Sequence, residues 1–265
     1  MTPFEFRRAA SVADAVCWLR EQPEAKLLAG GQSLLAAMKL GLAAPELLID
    51  LGRVAELRSV REDGQALWIG AMCTHAGAAA SALVRARVPG LARLAGGIAD
   101  QQVRNRGTLG GSIANADPAA CWQAGVLACG ATVVTDRREI AADDFFQGLF
   151  ATVLEPDEVL VGVRVPVPEQ LVYLKEEQPA SRFAMAGVAV ARRGAEVRVA
   201  VTGLGLGVFR WQGAEAALAR RFEPQALEGL RPDAELASGD FHASAEYRLH
   251  LANVLARRAV AQMGA

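Results

Sequence analysis

Apolar positions in the first third of the chain alternate between two periods. Val12, Ala15, Val16 and Leu19 fall on one helical face. Ser11, with Asp14 three residues on, forms a capping box in which hydroxyl and carboxylate satisfy the free amides of a starting helix. The spacing therefore predicts a helix from Val12. A short strand over 4–7 precedes it, and Lys26-Leu27-Leu28-Ala29 is a second strand that ends on Gly30-Gly31. Residues 34–42 read as helix, Leu47–Asp50 as strand and 66–71 as another strand behind a turn at Glu62-Asp63-Gly64. This is an α/β layer followed by β-rich hairpins.

Further on, 74–86 and 91–99 carry helical patterns, whereas 101–112 is polar and glycine-marked and is predicted to be a loop. Residues 122–134 form the longest weakly polar stretch. It is too short to span a membrane and reads as a buried helix running into a strand. Beyond Pro166 and Pro168 the character changes. Residues 186–191 and 196–203 alternate like an antiparallel pair around Arg192-Arg193-Gly194, and helices follow. The last helix, over 244–263, carries Tyr247, Leu251, Val254 and Leu255 at helical spacing, with Arg257 and Arg258 toward its C-terminal end, where positive charge suits the dipole. A domain boundary is expected near residue 170.

Composition narrows the function classes. With 265 residues, 52% of them hydrophobic, the chain can bury a sizeable core. Its 28 basic and 29 acidic side chains nearly cancel and no run of five like charges occurs, so neither nucleic acid nor an anionic membrane has a basic footprint to hold. The opening residues lack the charged and apolar regions of a secretory signal, which leads to the expectation of a cytoplasmic protein. Cys17, Cys73, Cys121 and Cys129 show no Cys-x-x-Cys spacing and read as reduced, structural thiols, so no metal site is expected in this chain. His75, His242 and His250 form no nucleophilic or general-base pattern and read as surface or packing histidines. Asp143-Asp144, adjacent in sequence, point apart and read as a turn or helix start. No catalytic residue is assigned.

Candidate chemistry lies in two glycine pairs. In Ala29-Gly30-Gly31-Gln32-Ser33 a strand runs into two glycines and a helix begins, so backbone amides can form a concave donor surface for phosphate oxygens. Taken alone this is also an ordinary turn, and it is neither a Walker P-loop nor a Gly-x-Gly-x-x-Gly fingerprint. The second pair lies in Arg104-Asn105-Arg106-Gly107-Thr108-Leu109-Gly110-Gly111-Ser112, followed by Ile113-Ala114-Asn115-Ala116-Asp117-Pro118. Two such loops could clamp a dinucleotide from opposite sides. Arg104 and Arg106 either face its phosphates or form an ion pair that steadies the loop.

These two runs, AGGQSLLAAMKLGLAAPELLIDL and RNRGTLGGSIANADPAA, resemble the flavin subunit of the carbon monoxide dehydrogenase and xanthine dehydrogenase family. The segment 179–188 and the closing helix resemble it as well, so the likeness covers essentially the whole chain. It implies an α+β protein: a vanillyl-alcohol-oxidase (PCMH)-type FAD-binding fold over 1–170, in subdomains of about 1–55 and 56–170, then a small C-terminal α+β domain over 171–265.

By the same resemblance, residues 29–33 wrap the FAD diphosphate, residues 108–112 contact the diphosphate and ribityl chain, and Lys175 stands near the flavin ring. A solvated surface lysine is the alternative at that position. The family has an acidic residue holding the adenosine part where this chain has Cys121. Asp117, four residues earlier, does not replace it and reads equally as a cap for the next helix.

The resemblance also implies partners: a small subunit with two [2Fe–2S] clusters and a large subunit with a molybdopterin-type molybdenum cofactor, in a dimer of heterotrimers that would need a sizeable apolar patch here. This chain would pass electrons from the clusters to an external quinone, NAD or oxygen. The substrate pocket is implied on another chain, so carbon monoxide, a purine, a nicotine-like heterocycle and an aldehyde all fit this sequence equally. Two other readings stand beside it: a self-sufficient flavin oxidase, for which the residues after Pro168 are few to build a substrate cap, and an assembly subunit that has lost FAD, which Cys121 alone supports.

Overall fold

The computed structural model describes residues 2–264. The chain begins with strands β1 (Glu5–Arg8), β2 (Lys26–Leu28) and β3 (Leu47–Asp50), in the spatial order β1-β3-β2 and all parallel. The central strand is buried throughout Leu47, Leu48 and Ile49, which is why it reads as a continuous apolar run and not as an alternating one. The connecting helix Val12–Glu21 starts as expected: Ser11 Oγ accepts from the Asp14 amide at 3.1 Å, and Asp14 Oδ2 accepts from the Ser11 amide at 3.1 Å.

A second, antiparallel sheet is built from β4 (Val60–Asp63), β5 (Ala66–Gly70), β6 (Thr132–Thr135), β7 (Glu139–Ala141) and, after the hairpin β8 (Phe146–Gly148) and β9 (Ala151–Thr152), β10 (Leu160–Pro166). Its order is β4-β5-β10-β6-β7. The β4–β5 turn at Gly64 adopts φ +63°, the left-handed conformation the sequence signalled.

The third sheet, β11 (Gln170–Glu177), β12 (Ala184–Arg193), β13 (Glu196–Thr202) and β14 (Phe209–Arg210), is antiparallel in sequential order. It is buried on both faces. Val188, Val190, Val199 and Val201 pack into a core with the helices Gln212–Arg220 and Ala245–Gly264. The intervening Ala189, Ala191 and Ala200 pack into the central core that contains Trp122. Small residues on that face let the helix Cys121–Ala128, buried along its whole length, lie directly against the sheet. The first residue of this helix, Cys121, lines the site described below. Asp143, in the first turn of the helix Ala142–Phe145, pairs with Arg198 and Arg210 across the same junction, in agreement with the helix-start expectation for Asp143-Asp144.

Two expectations need correction. The helical pattern over 74–86 is two helices, His75–Ala80 and Ala82–Arg87, because Ser81 turns extended and caps the second through the Val84 amide. The stretch expected as a loop over 101–112 is helical: Gln101–Arg106 and Leu109–Asn115, broken only at Gly107-Thr108. Asp100 accepts from the Val103 amide at 2.9 Å and Thr108 from the Gly111 amide at 3.1 Å, so each short helix has a side-chain cap that offsets its polar or glycine-rich composition. Among the described residues no helix is long and apolar enough to cross a membrane.

Asp100→Ala removes the first of these caps. Urea unfolding should show a loss of about 1 kcal/mol; an unchanged midpoint would mean that 101–106 is not held as a capped helix.

Candidate functional site

Three segments converge on one cavity of about 720 Å³, a size within the usual range for small-molecule and cofactor sites. The first is the turn between β2 and the helix Leu34–Lys39. Among the described residues the amides of Gly30, Gly31, Gln32 and Ser33 meet no protein acceptor, while Gly31 takes φ +72° and Gln32 Nε2 donates to the Gly30 carbonyl at 3.1 Å. Ala29, Gly30, Gly31, Gln32 and Ser33 all line the cavity. A row of unpaired amides at a left-handed turn is an oxyanion cradle.

The second segment behaves differently. The Leu109 amide donates to the Cys73 carbonyl at 2.9 Å, Gly110 to Ala71 at 2.8 Å, Gly111 to Thr108 Oγ1 at 3.1 Å and Ser112 to the Thr108 carbonyl at 3.0 Å. These amides are committed within the protein, so this loop does not repeat the cradle of the first. Its glycines serve packing: a Cβ on Gly110 would lie 2.5 Å from Ala71 Cβ, and one on Gly30 would overlap the carbonyl oxygen of Arg106. Glycine 30 thus brings the two loops together backbone against backbone.

Thr108, Gly110, Gly111 and Ser112 still line the cavity, with the Ser112 side chain as a polar group on that wall. Leu109 does not: its side chain is wholly buried in the central core. Arg104 does not line it either. Its guanidinium donates to the carbonyls of Ile98 at 2.8 Å and Ala99 at 2.7 Å and to Gln101 Oε1 at 3.1 Å, which holds Ala99 in its left-handed conformation, φ +43°. The arginine is a brace for the loop, through carbonyls and not through an ion pair. Arg106 is exposed and outside the lining.

Asp117 lines the cavity, and Oδ1 accepts from the Ala119 amide at 2.9 Å, which shapes the turn before Cys121–Ala128 without capping the helix itself. Burial raises its pKa, opposed by that backbone bond. Gln123, buried, donates to the Ser112 and Asp117 carbonyls at 3.0 and 3.3 Å and ties the two ends of this wall. His75 is a packing histidine that also reaches the lining. Its Nδ1 accepts from Trp122 Nε1 at 3.0 Å, and burial, aided by the charge of Arg104, lowers its pKa to about 4, so the ring is neutral.

The third segment comes from β11 and the turn after it. The Lys175 side chain is 7% exposed and lines the cavity, so it is not a solvated surface lysine. Its Nζ donates to the Arg182 carbonyl at 2.7 Å and pairs with Glu177 at 3.2 Å. Cys121, buried, faces it from the start of the helix. The resemblance implied adenosine for position 121 and the flavin ring for Lys175, at opposite ends of one molecule. The structure places the two side chains side by side. Phe183 was not singled out in the sequence, yet it lines the cavity and is 44% exposed; the signal available was one aromatic among Ala180, Ser181 and Ala184.

Of the other thiols, Cys73 and Cys129 are buried, with pKa values pushed by desolvation to about 11 and about 12, and Cys17 is exposed; all four cysteines are free.

A cavity with an amide cradle, an apolar wall and one buried ammonium suits a dinucleotide that has a planar ring, and comparison with known proteins agrees. Residues 2–168 match the family described as FAD binding domain in molybdopterin dehydrogenase, and residues 173–263 match the CO dehydrogenase flavoprotein C-terminal domain. The chain is 38% identical to the carbon monoxide dehydrogenase medium chain of Hydrogenophaga pseudoflava, over 97% of this chain and 96% of that one. It is 37% identical to the nicotine 6-hydroxylase medium subunit of Paenarthrobacter nicotinovorans, over 97% and 95%. Among solved structures, a chain of the reconstituted CO dehydrogenase from Oligotropha carboxidovorans superposes with a TM-score of 0.90 at 33% identity, covering 98% of this chain and 97% of that one. The chain belongs to the FAD-binding medium subunits of molybdenum hydroxylases of the carbon monoxide dehydrogenase and xanthine dehydrogenase type, and is thus an oxidoreductase subunit with their α+β fold.

Gly30→Ala should cost about 1–3 kcal/mol, since the added methyl meets backbone that cannot rotate away. Flavin content after purification should fall with it, and retention of both stability and flavin would show that the loops do not need this contact. His75 gives a pH signature. Its folded pKa of about 4 lies below the unfolded value near 6.5, so the unfolded chain binds the extra proton between them. Stability should therefore decline by about 3 kcal/mol as pH falls through that window, and His75→Gln should remove this part of the decline in urea titrations at stepped pH.

Proposed function

We propose that this chain holds one FAD and serves as the exit for electrons in a heterotrimer. It would take them from [2Fe–2S] clusters on a small partner subunit, beside a large subunit with a molybdopterin-type cofactor, and deliver them to an external acceptor. The observation that carries this reading is the row of amides at Gly30, Gly31, Gln32 and Ser33, unpaired among the described residues, opening on a cavity that the Lys175 ammonium and Phe183 also line. FAD supplies the exchange of single electrons on one side for an electron pair on the other.

The residues of this chain bind and orient it. The cradle amides donate to the diphosphate, which neutralises charge without a cationic side chain at that point. Ser112 and Asp117 present a hydroxyl and a carboxylate to the sugar-alcohol and ribose hydroxyls. Gly107, Gly110 and Gly111 let this wall pack closely behind the cofactor. Phe183 offers a face for a planar ring, while Lys175 and Cys121 stand at the ring's polar edge. Neutral His75 keeps a second positive charge away from the same wall.

The division into an FAD-binding part over 1–170 and a C-terminal part over 171–265 belongs to the same proposal, as do a dimer of heterotrimers and a cytoplasmic location. Exposed Leu149 and Phe150, at the tip of the β8–β9 hairpin, and exposed Leu206, whose carbonyl packs beside Gly148, supply apolar surface for a partner.

The test is an absorption spectrum of the chain purified alone and after co-expression with its neighbouring subunits, with the released cofactor identified. One FAD per chain is expected. Flavin absent from both preparations would overturn the proposal, and reduction of the flavin in the isolated chain by an organic substrate would replace it with a self-sufficient oxidase.

A further inference from the structure

Lys175 brings a nearly enclosed ammonium to the cavity lining. Among the described residues the one carboxylate paired with it is Glu177, two residues on in the same strand and itself 42% exposed. Its other recorded bond goes to a neutral carbonyl, that of Arg182. The groups packed beside it within the fold are the thiol of Cys121 and, behind the thiol, the phenol of Tyr173. The phenol oxygen is fully enclosed, with the Cys121 thiol as its polar neighbour. Room for it comes from Gly187, which pairs with Lys175 in the β11–β12 register and where a Cβ would lie 2.5 Å from that oxygen.

Burial pushes the Cys121 thiol up, so it stays protonated and neutral next to the cation. A cysteine in this setting is a poor nucleophile and an indifferent hydrogen-bond partner. What it contributes is absence of charge at a lining position beside Lys175.

We propose that Cys121 sets the reduction potential of the bound flavin, by placing no second carboxylate beside the Lys175–Glu177 pair. The inference rests on the FAD reading above. The reduced ring carries more negative charge than the oxidised ring, so an enclosed cation at its edge stabilises the reduced state and raises the potential. A carboxylate at 121 would pair with the ammonium and take that stabilisation away. Cys121 is in this sense a positioning residue for charge, acting through Lys175.

The measurement is the midpoint potential of FAD in the purified complex, by equilibration with a reference dye, for Cys121→Asp, Cys121→Ser and Lys175→Met. Cys121→Asp should disfavour the reduced flavin about tenfold, a lowering of about 30 mV for the electron pair. Lys175→Met should lower the potential at least as far. Cys121→Ser, which removes the thiol and adds no charge, should shift it by well under half as much. Should Cys121→Asp fail to retain flavin, the Lys175→Met and Cys121→Ser pair decides: an unchanged potential in Lys175→Met, or an equal drop in Cys121→Ser, overturns the proposal. Flavin absent from the wild-type complex would remove the FAD reading itself, and this inference with it.

Discussion

The structure depends on one close approach, that of Gly30 to the backbone at Arg106 and Gly107. No side chain fits there, because a Cβ on Gly30 would overlap a carbonyl oxygen and one on Gly107 would lie 2.6 Å from His75 Nε2. Backbone in contact with backbone fixes the distance between the parallel layer and the helix Leu109–Asn115, and thereby the mouth and walls of the cavity. The hydrogen bonds of residues 109–112 to Ala71, Cys73 and Thr108 follow from this, since a loop pressed against its neighbour must pair its amides there or leave them buried and unsatisfied. The amides of 30–33 stay free for the opposite reason: they face the cavity.

Charge is distributed along the cavity with the same economy. At the cradle it comes from peptide dipoles; at Lys175 it comes from an enclosed ammonium paired with Glu177. Burial keeps His75 neutral and raises the pKa of Asp117, while Glu158, also in the lining, is held ionised by Arg138. Arginines near the site serve the backbone: Arg104 braces Ala99, and Arg182 adds a longer contact to the same carbonyl at 3.4 Å.

Much of this was legible in the sequence, and the parts that were not share a cause. The capping box at Ser11, the strand into Gly30-Gly31 and the antiparallel pair around Gly194 depend on neighbours a few residues apart, and pattern reading recovers such features. The helices flanking Gly107 were missed because glycine and polar residues argue for a loop, while the caps at Asp100 and Thr108 outweigh them only once tertiary contacts hold the turn. The glycines of both loops were read as giving access to a ligand, and all four line the cavity. The structure adds a packing role at Gly30 and Gly110, between segments some seventy-six and thirty-nine residues apart, which no local pattern encodes. Arg104 braces the loop through carbonyls where an ion pair was weighed, and the neighbours of Arg104 and Cys121, Ile98 and Ala99 in one case and Lys175 in the other, become apparent only in three dimensions.

The two glycine loops have different duties, and amide hydrogen exchange of the chain with and without FAD separates them. Peptides covering 30–33 should exchange fast in the apoprotein and become protected when FAD is added, whereas amides 109–112 should be slow in both states. Protection that appears on binding at 109–112 while 30–33 remains fast would contradict the division of labour between cradle and scaffold.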